Sequence, residues 1–413
     1  MFKPSIYFKN ILTLMSGVLL SQIILFFGSL LLTRIFSPED FGLAALFLSI
    51  VNIFTVISTF RYEHSLVLPV SDIDAFDIMS ITRKIILFFC VVIFVGVIIF
   101  GNVVTSFFSK TELNFWLYFL PLMILVNAFF SIYRSWLVRV KKFKRISVGA
   151  LIKSSSLTAC LIIGGLLFKN VLVFLFANIV GQLLETVYLH YAIKGKESSF
   201  GNGKAQLKKY INFPKFSLPA DLISVYSSQN PILLFSVFFG DYVVGQFSLT
   251  QRVLAIPIKF ISGSTLEVYK QKASEDYNNY GNCLKIFKST FKSLFLIGII
   301  PTGIMFFFAP ILFEILFGSE WRDAGIFAKY LLMMFFLQFS ISPLSYTLYI
   351  AGKQNYNLYW QIMLLITTSI GIFMGVLNNS VDISIIGFSI AYSFMYIVYL
   401  VMIYYSAKGY VKK

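Results

Sequence analysis

Long apolar runs separated by short polar connections dominate the chain. About twelve of them have the length of a membrane-crossing helix, near residues 11–33, 41–60, 85–108, 115–138, 146–168, 171–193, 217–239, 243–264, 291–317, 323–350, 358–377 and 381–406. Only Lys3 and Lys9 precede the first run, and no small-residue cleavage pattern follows a short apolar core. It therefore reads as a retained helix and not as a removed signal peptide.

Polar residues inside the runs recur at helical spacing and so share helix faces. One stripe is Gly42, Ala45, Ser49, Asn52, Thr59 and Glu63, and another is Gly245, Ser248, Arg252, Ala255 and Lys259. Further stripes hold Asn127, Ser131 and Arg134; Gly149, Lys153, Ser156, Cys160 and Gly164; Asn178, Gln182 and Glu185; and Ser217, Asp221, Ser224 and Ser228. Small and uncharged positions suit close helix packing and hydrogen bonds across a bundle. Cations need more, because a charge at the bilayer centre costs about 2.5–3.5 kcal/mol on insertion scales. Arg134, Lys153 and Arg252 are accommodated at least cost if their stripes face a shared water-filled cavity. For Lys259 and Lys329, nearer helix ends, the alternative is that the amine snorkels to the headgroups.

The runs divide into two sets. An offset of 203 residues places Gly42 on Gly245, Phe36 on Phe239 and Ser49 on Arg252, and it superimposes the two long polar connections, 61–84 and 265–290. Six intervening spans give both halves one orientation, as in parallel-repeat transporters. The expected architecture is an all-α polytopic membrane protein. Two six-helix lobes, 1–193 and 217–413, are joined by the polar linker 194–216 and surround a central cationic cavity.

Composition and charge narrow the function. The chain is 58% hydrophobic and 13% charged, far from the roughly 25% charged residues of soluble domains. Its net charge of +16 is distributed by topology. About 25 of the 34 Lys and Arg fall in loops on the side of both termini, so those termini are expected in the cytoplasm. RVKKFKR at 139–145 is then a cytoplasmic loop and not a nucleic-acid patch. Cys90, Cys160 and Cys283 have no paired spacing, and His64 and His190 are the only histidines, so neither disulfides nor a metal centre is expected. GNGK at 201–204 lacks the spacing and the Ser or Thr of a phosphate-binding P-loop. External loops of about three to ten residues leave no folded segment for outer-face catalysis. These features favour moving a substrate over reacting it. Several cations with few carboxylates should attract an anion, with Arg holding phosphate oxygens in bidentate fashion and Lys acting as a point charge.

Three segments carry a family resemblance. They are LLTRIFSPEDFGLAALFLSIVNIFTVISTFRYEHSLVLP at 31–69, with an expected helix break at 37–41; VVGQFSLTQRVLAIPIKFISGSTLEVYKQKASE at 243–275; and ILFGSEWRDAGIFAKYLLMMFFLQFSISPLSYTLYIAGKQ at 315–354. The chain resembles the oligosaccharide flippase, or polysaccharide biosynthesis protein, family of the multidrug/oligosaccharidyl-lipid/polysaccharide exporter superfamily. That resemblance implies a twelve-helix, two-lobed inner-membrane transporter. It would flip undecaprenyl-pyrophosphate-linked oligosaccharide repeat units to the periplasmic face for O-antigen, capsule or exopolysaccharide assembly, alongside other polysaccharide assembly proteins. Arg134, Lys153, Arg252, Lys259 and Lys329 are the candidate substrate contacts. No cofactor is expected, and without a nucleotide site the energy source defaults to an H+ or Na+ gradient, with Asp221 and Glu185 as candidate coupling acids. Two alternatives remain: a multidrug cation antiporter of the same superfamily, which needs more cavity acids, and a membrane-embedded glycosyltransferase or polymerase, which needs an external domain.

Overall fold

The computed structural model describes residues 6–193 and 203–409, and every regular element among them is helical. The long helices are α1 Ile6–Leu32, α2 Pro38–Ser58, α3 Asp72–Phe108, α4 Leu120–Arg139, α5 Phe143–Phe168, α6 Leu172–Ile193, α7 Leu218–Phe238, α8 Asp241–Pro257, α9 Gly263–Tyr280, α10 Leu284–Phe317, α11 Arg322–Ile341, α12 Gln354–Leu377 and α13 Val381–Lys408. A helix overlies each expected apolar run. Among the described residues nine helical segments are long and apolar enough to cross a membrane. α1 contributes a shorter apolar helix, Ser16–Leu32, and α7 and α8 underlie the two expected runs outside that set. The first part of the expected linker, 194–202, lies outside the described residues.

Local chemistry sets the helix ends. α2 opens on a capping box: the Asp40 amide donates to Ser37 Oγ at 3.3 Å and the Ser37 amide donates to Asp40 Oδ2 at 3.0 Å, with Pro38 at the first helical position. The break therefore falls at 33–37 and not at 37–41, because Ser37 and Pro38 begin the helix instead of ending one. α8 stops at Pro257 and continues as one π-helical turn, Ile258–Ser262, since proline has no N–H for the regular ladder. The expected run 323–350 likewise divides at Pro343, which lies in a 3-10 turn between α11 and the short helix Thr347–Ile350.

The chain forms two units, Met1–Tyr226 and Ser227–Lys413. The boundary falls within α7. In the first unit α5 packs on α1 and α6, and α4 packs on α2, α3 and α6. In the second, α13 packs on α11 and α12, and α11 packs on α8 and α10. Four packing pairs thus recur in the same chain order: α2–α4 with α8–α11, α3–α4 with α10–α11, α4–α6 with α11–α13, and α5–α6 with α12–α13. The 203-residue offset carries the first residue of α2, Pro38, onto the first residue of α8, Asp241.

Small residues make the closest crossings. A Cβ on Gly325 would lie 2.5 Å from Pro310 Cα and 2.6 Å from the Ala309 carbonyl oxygen, so α11 meets the backbone of α10 there. Gly371 of α12 meets the backbone of Gly387 of α13 in the same way. Membrane helices gain their association from this kind of contact, since lipid offers no hydrophobic drive to pair them.

Candidate substrate and coupling site

In the first unit, adjacent faces of α4, α5 and α6 bring together residues with two different expected roles. The Lys153 ammonium on α5 hydrogen-bonds Gln182 Oε1 on α6, and Gln182 Nε2 donates to Glu185 Oε2 at 3.4 Å. Gln182 and Glu185 are both buried. Arg134 on α4 is close enough to act electrostatically on the same carboxylate, and Lys153 Nζ lies 6.0 Å from the centroid of the Phe130 ring. Room for the acid comes from Gly149, where a Cβ would stand 3.5 Å from Glu185. The arrangement is two cations on one buried acid, with a glutamine as relay. Its net charge is positive, so it can compensate an added anion, and Glu185 can take or lose a proton beside the cations that would do so.

Asp221 belongs to a second network. Arg61 Nε donates to Asp221 Oδ2 at 2.6 Å while Arg61 Nη1 donates to Glu63 Oε1 at 3.1 Å. Arg61 and the preceding Phe60 both have left-handed backbones, with φ of 61° and 48°. Two consecutive strained non-glycine residues mark a segment that the surrounding structure holds in place. Asp221 at the start of α7 is therefore pinned to the turn that follows α2. The sequence separates these residues, because Glu63 and Asp221 stand on the polar stripes of different helices and periodicity does not show that Arg61 joins them.

The second unit carries Arg252, Lys259 and Lys329. The packed side of α8 is formed by Val243, Val244, Gln246, Phe247, Thr250 and Leu254. Arg252 and Lys259 are exposed on the other side, on one face and near enough to act electrostatically on each other. The matching residue of the first half, Ser49, is buried and donates to the Ala45 carbonyl oxygen at 2.8 Å. Lys329 on α11 places Nζ 4.9 Å from the centroid of the Phe306 ring on α10. Gln246 has a role that its sequence context did not reveal. Its Nε2 donates to the Glu320 carbonyl oxygen at 2.6 Å and its Oε1 accepts from the Ala324 amide at 2.9 Å. It satisfies the Ala324 amide, one of the first N–H groups of α11 that no helix turn supplies, and it ties the Glu320 carbonyl of the preceding turn to α8. Among the described residues no cluster of three or more His, Cys, Asp or Glu could hold a metal ion.

Three solved structures share this fold. The lipid II flippase MurJ in an inward closed conformation aligns with a TM-score of 0.80 at 13% identity, over 94% of this chain and 86% of that one. An inward-facing multidrug resistance MATE family transporter of the MOP superfamily aligns with a TM-score of 0.76 at 15% identity, over 92% and 93%. A MOP superfamily transporter from Pyrococcus furiosus, described as having a binding pocket of reverse polarity, aligns at 0.63 and 14%, over 96% and 94%. Identities this low establish the fold alone. A comparison with curated proteins finds no match. At the level of sequence, the model of a family described as polysaccharide biosynthesis protein matches residues 31–325, most of the chain, and by that match this multi-pass membrane protein belongs to the polysaccharide biosynthesis protein family.

Proposed function

We propose that this protein flips undecaprenyl-pyrophosphate-linked oligosaccharide repeat units from the cytoplasmic to the periplasmic face of the inner membrane. Twelve spans in two parallel lobes, with both termini cytoplasmic, would alternate access under an H+ or Na+ gradient. The observation that carries the reading is the network of Arg134, Lys153, Gln182 and Glu185 within membrane helices of a polysaccharide biosynthesis protein. Two cations on one acid leave a positive site for a pyrophosphate, and Arg252 and Lys259 add a second positive face. An antiporter of amphipathic cations needs the opposite polarity.

The test is deletion of the gene in its host, followed by analysis of lipid-linked glycans in each leaflet. Expected is accumulation of one lipid-linked glycan on the cytoplasmic leaflet, reversed by the wild-type gene but not by Arg252→Ala or Lys153→Ala proteins that reach the membrane at normal levels. Unchanged surface polysaccharide together with lost resistance to cationic drugs would reject the proposal.

A further inference from the structure

α10 carries a line of cations that the transport reading leaves unused. Lys285, Lys288 and Lys292 recur every three or four residues, with Ser289 beside them, and all four are exposed. Among the described residues no carboxylate pairs with Lys285 or Lys292, and Lys288 lies over the ring of Tyr404 at 5.9 Å. The same helix face continues as Leu296, Ile300 and Phe307, which are 54%, 68% and 73% exposed. Side chains this apolar and this exposed on a membrane helix face acyl chains. Lys292 precedes Leu296 by one turn, about 6 Å of helix, so the lysines stand at headgroup height beside lipid.

A positive loop also follows from topology alone, and the cleft next to the lysines is what points further. Between α9 and the start of α10 is a cavity of about 640 Å³ lined by Lys272, Asp276, Asn282, Lys285 and Ser289, among others. That volume lies in the range of small-ligand sites, roughly 300–1,000 Å³. Its one acid among these residues is already engaged, since Lys272 Nζ lies 3.2 Å from Asp276 and 3.6 Å from Glu275. Lys272 and Lys285 balance Asp276 and Glu275, so the excess positive charge at this end of α10 comes from Lys288 and Lys292, and Asn282 and Ser289 offer donors and acceptors to neutral oxygens. We propose that the cleft between α9 and α10 binds the phosphodiester headgroup of an anionic glycerophospholipid, whose acyl chains lie along the Leu296, Ile300 and Phe307 face. In the topology proposed above the lipid belongs to the cytoplasmic leaflet.

The full-length protein in nanodiscs of phosphatidylcholine would be titrated with phosphatidylglycerol, and lipid retained on the protein counted by native mass spectrometry. At about fivefold per lysine near the surface, Lys285→Ala/Lys288→Ala/Lys292→Ala should weaken phosphatidylglycerol binding on the order of a hundredfold. A charge-matched control, Lys208→Ala/Lys209→Ala/Lys215→Ala, should leave it within a few fold. Unchanged thermal unfolding of both variants in phosphatidylcholine verifies that they fold. Equal losses in the two variants would reduce the effect to net charge, and equal retention of the two lipids would remove the site. Displacement of the lipid by soluble glycerol phosphate at the same concentration would make the occupant a free phosphate and also overturn the proposal.

Discussion

The Arg61 network allows ion pairing and backbone strain to be separated by substitution. Arg61 bridges a buried acid and a half-exposed one: side-chain exposure is 18% for Arg61, 4% for Glu63 and 36% for Asp221. Arg61→Ala leaves the buried Glu63 carboxylate with only the half-exposed His64, 3.8 Å away, and with Oε2 lacking a hydrogen-bond partner, and should cost about 3 kcal/mol. Asp221→Ala leaves Arg61 still paired with Glu63 and removes a partner in contact with water, so about 1 kcal/mol or less is expected. The double variant Arg61→Ala/Glu63→Ala removes both members of the buried pair and should recover most of the loss. Arg61 also has a left-handed backbone at φ 61°, a conformation that costs a side-chain-bearing residue roughly 1–2 kcal/mol and glycine little. Arg61→Gly should accordingly be about 1 kcal/mol less destabilising than Arg61→Ala. The measurement is the unfolding free energy of each variant in a reversible detergent titration. An Asp221→Ala loss equal to that of Arg61→Ala would refute the ranking by burial, and no difference between Gly and Ala at position 61 would refute the strain.

Gly325→Val should prevent α10 and α11 from packing, because the added atoms meet Ala309 and Pro310 backbone that cannot step aside; a loss of at least 3 kcal/mol, or failure to reach the membrane, is expected by fluorescence-detected size exclusion. Gln246→Leu keeps the volume but leaves two backbone groups at the start of α11 unpaired, at about 1–3 kcal/mol each, so hydrogen exchange at Ala324 should accelerate while α13 amides stay protected. Glu185→Gln mimics the protonated acid of the Lys153 network and should tighten substrate binding while export loses its dependence on the ion gradient. Export by that variant that still follows the gradient would remove Glu185 from coupling.

Helix positions were legible in the sequence because apolar length and period report burial directly, and each of the twelve runs lies on a helix. Their ends were less so. Residues 72–84 read as part of an amphipathic connection whose acids cap interfacial helices, and they form instead the first turns of a continuous 37-residue α3, with Asp72 and Asp74 in its first turn. Partners were the least legible part. Periodicity names the face on which a side chain stands and leaves open what it meets there. Lys153 and Glu185 were given separate tasks on that basis, and Asp221 was given a coupling role with no partner assigned.

The structure pairs them differently, with a consequence for mechanism. The carboxylate of Asp221 is held by Arg61 in a structural contact at the α2 turn. Glu185 has no such obligation. Its contact within the network is a 3.4 Å bond from Gln182, a neutral side chain that can rotate its amide, and its charge acts directly on Lys153 and Arg134. A proton arriving at Glu185 leaves those two cations without their anion and strengthens the site for a phosphate, and a phosphate leaving the site makes the deprotonated acid favourable again. In the proposed transporter, binding and coupling are therefore exchanges of the same local charge, which requires the acid and the cations to share one cluster, as Glu185, Lys153 and Arg134 do.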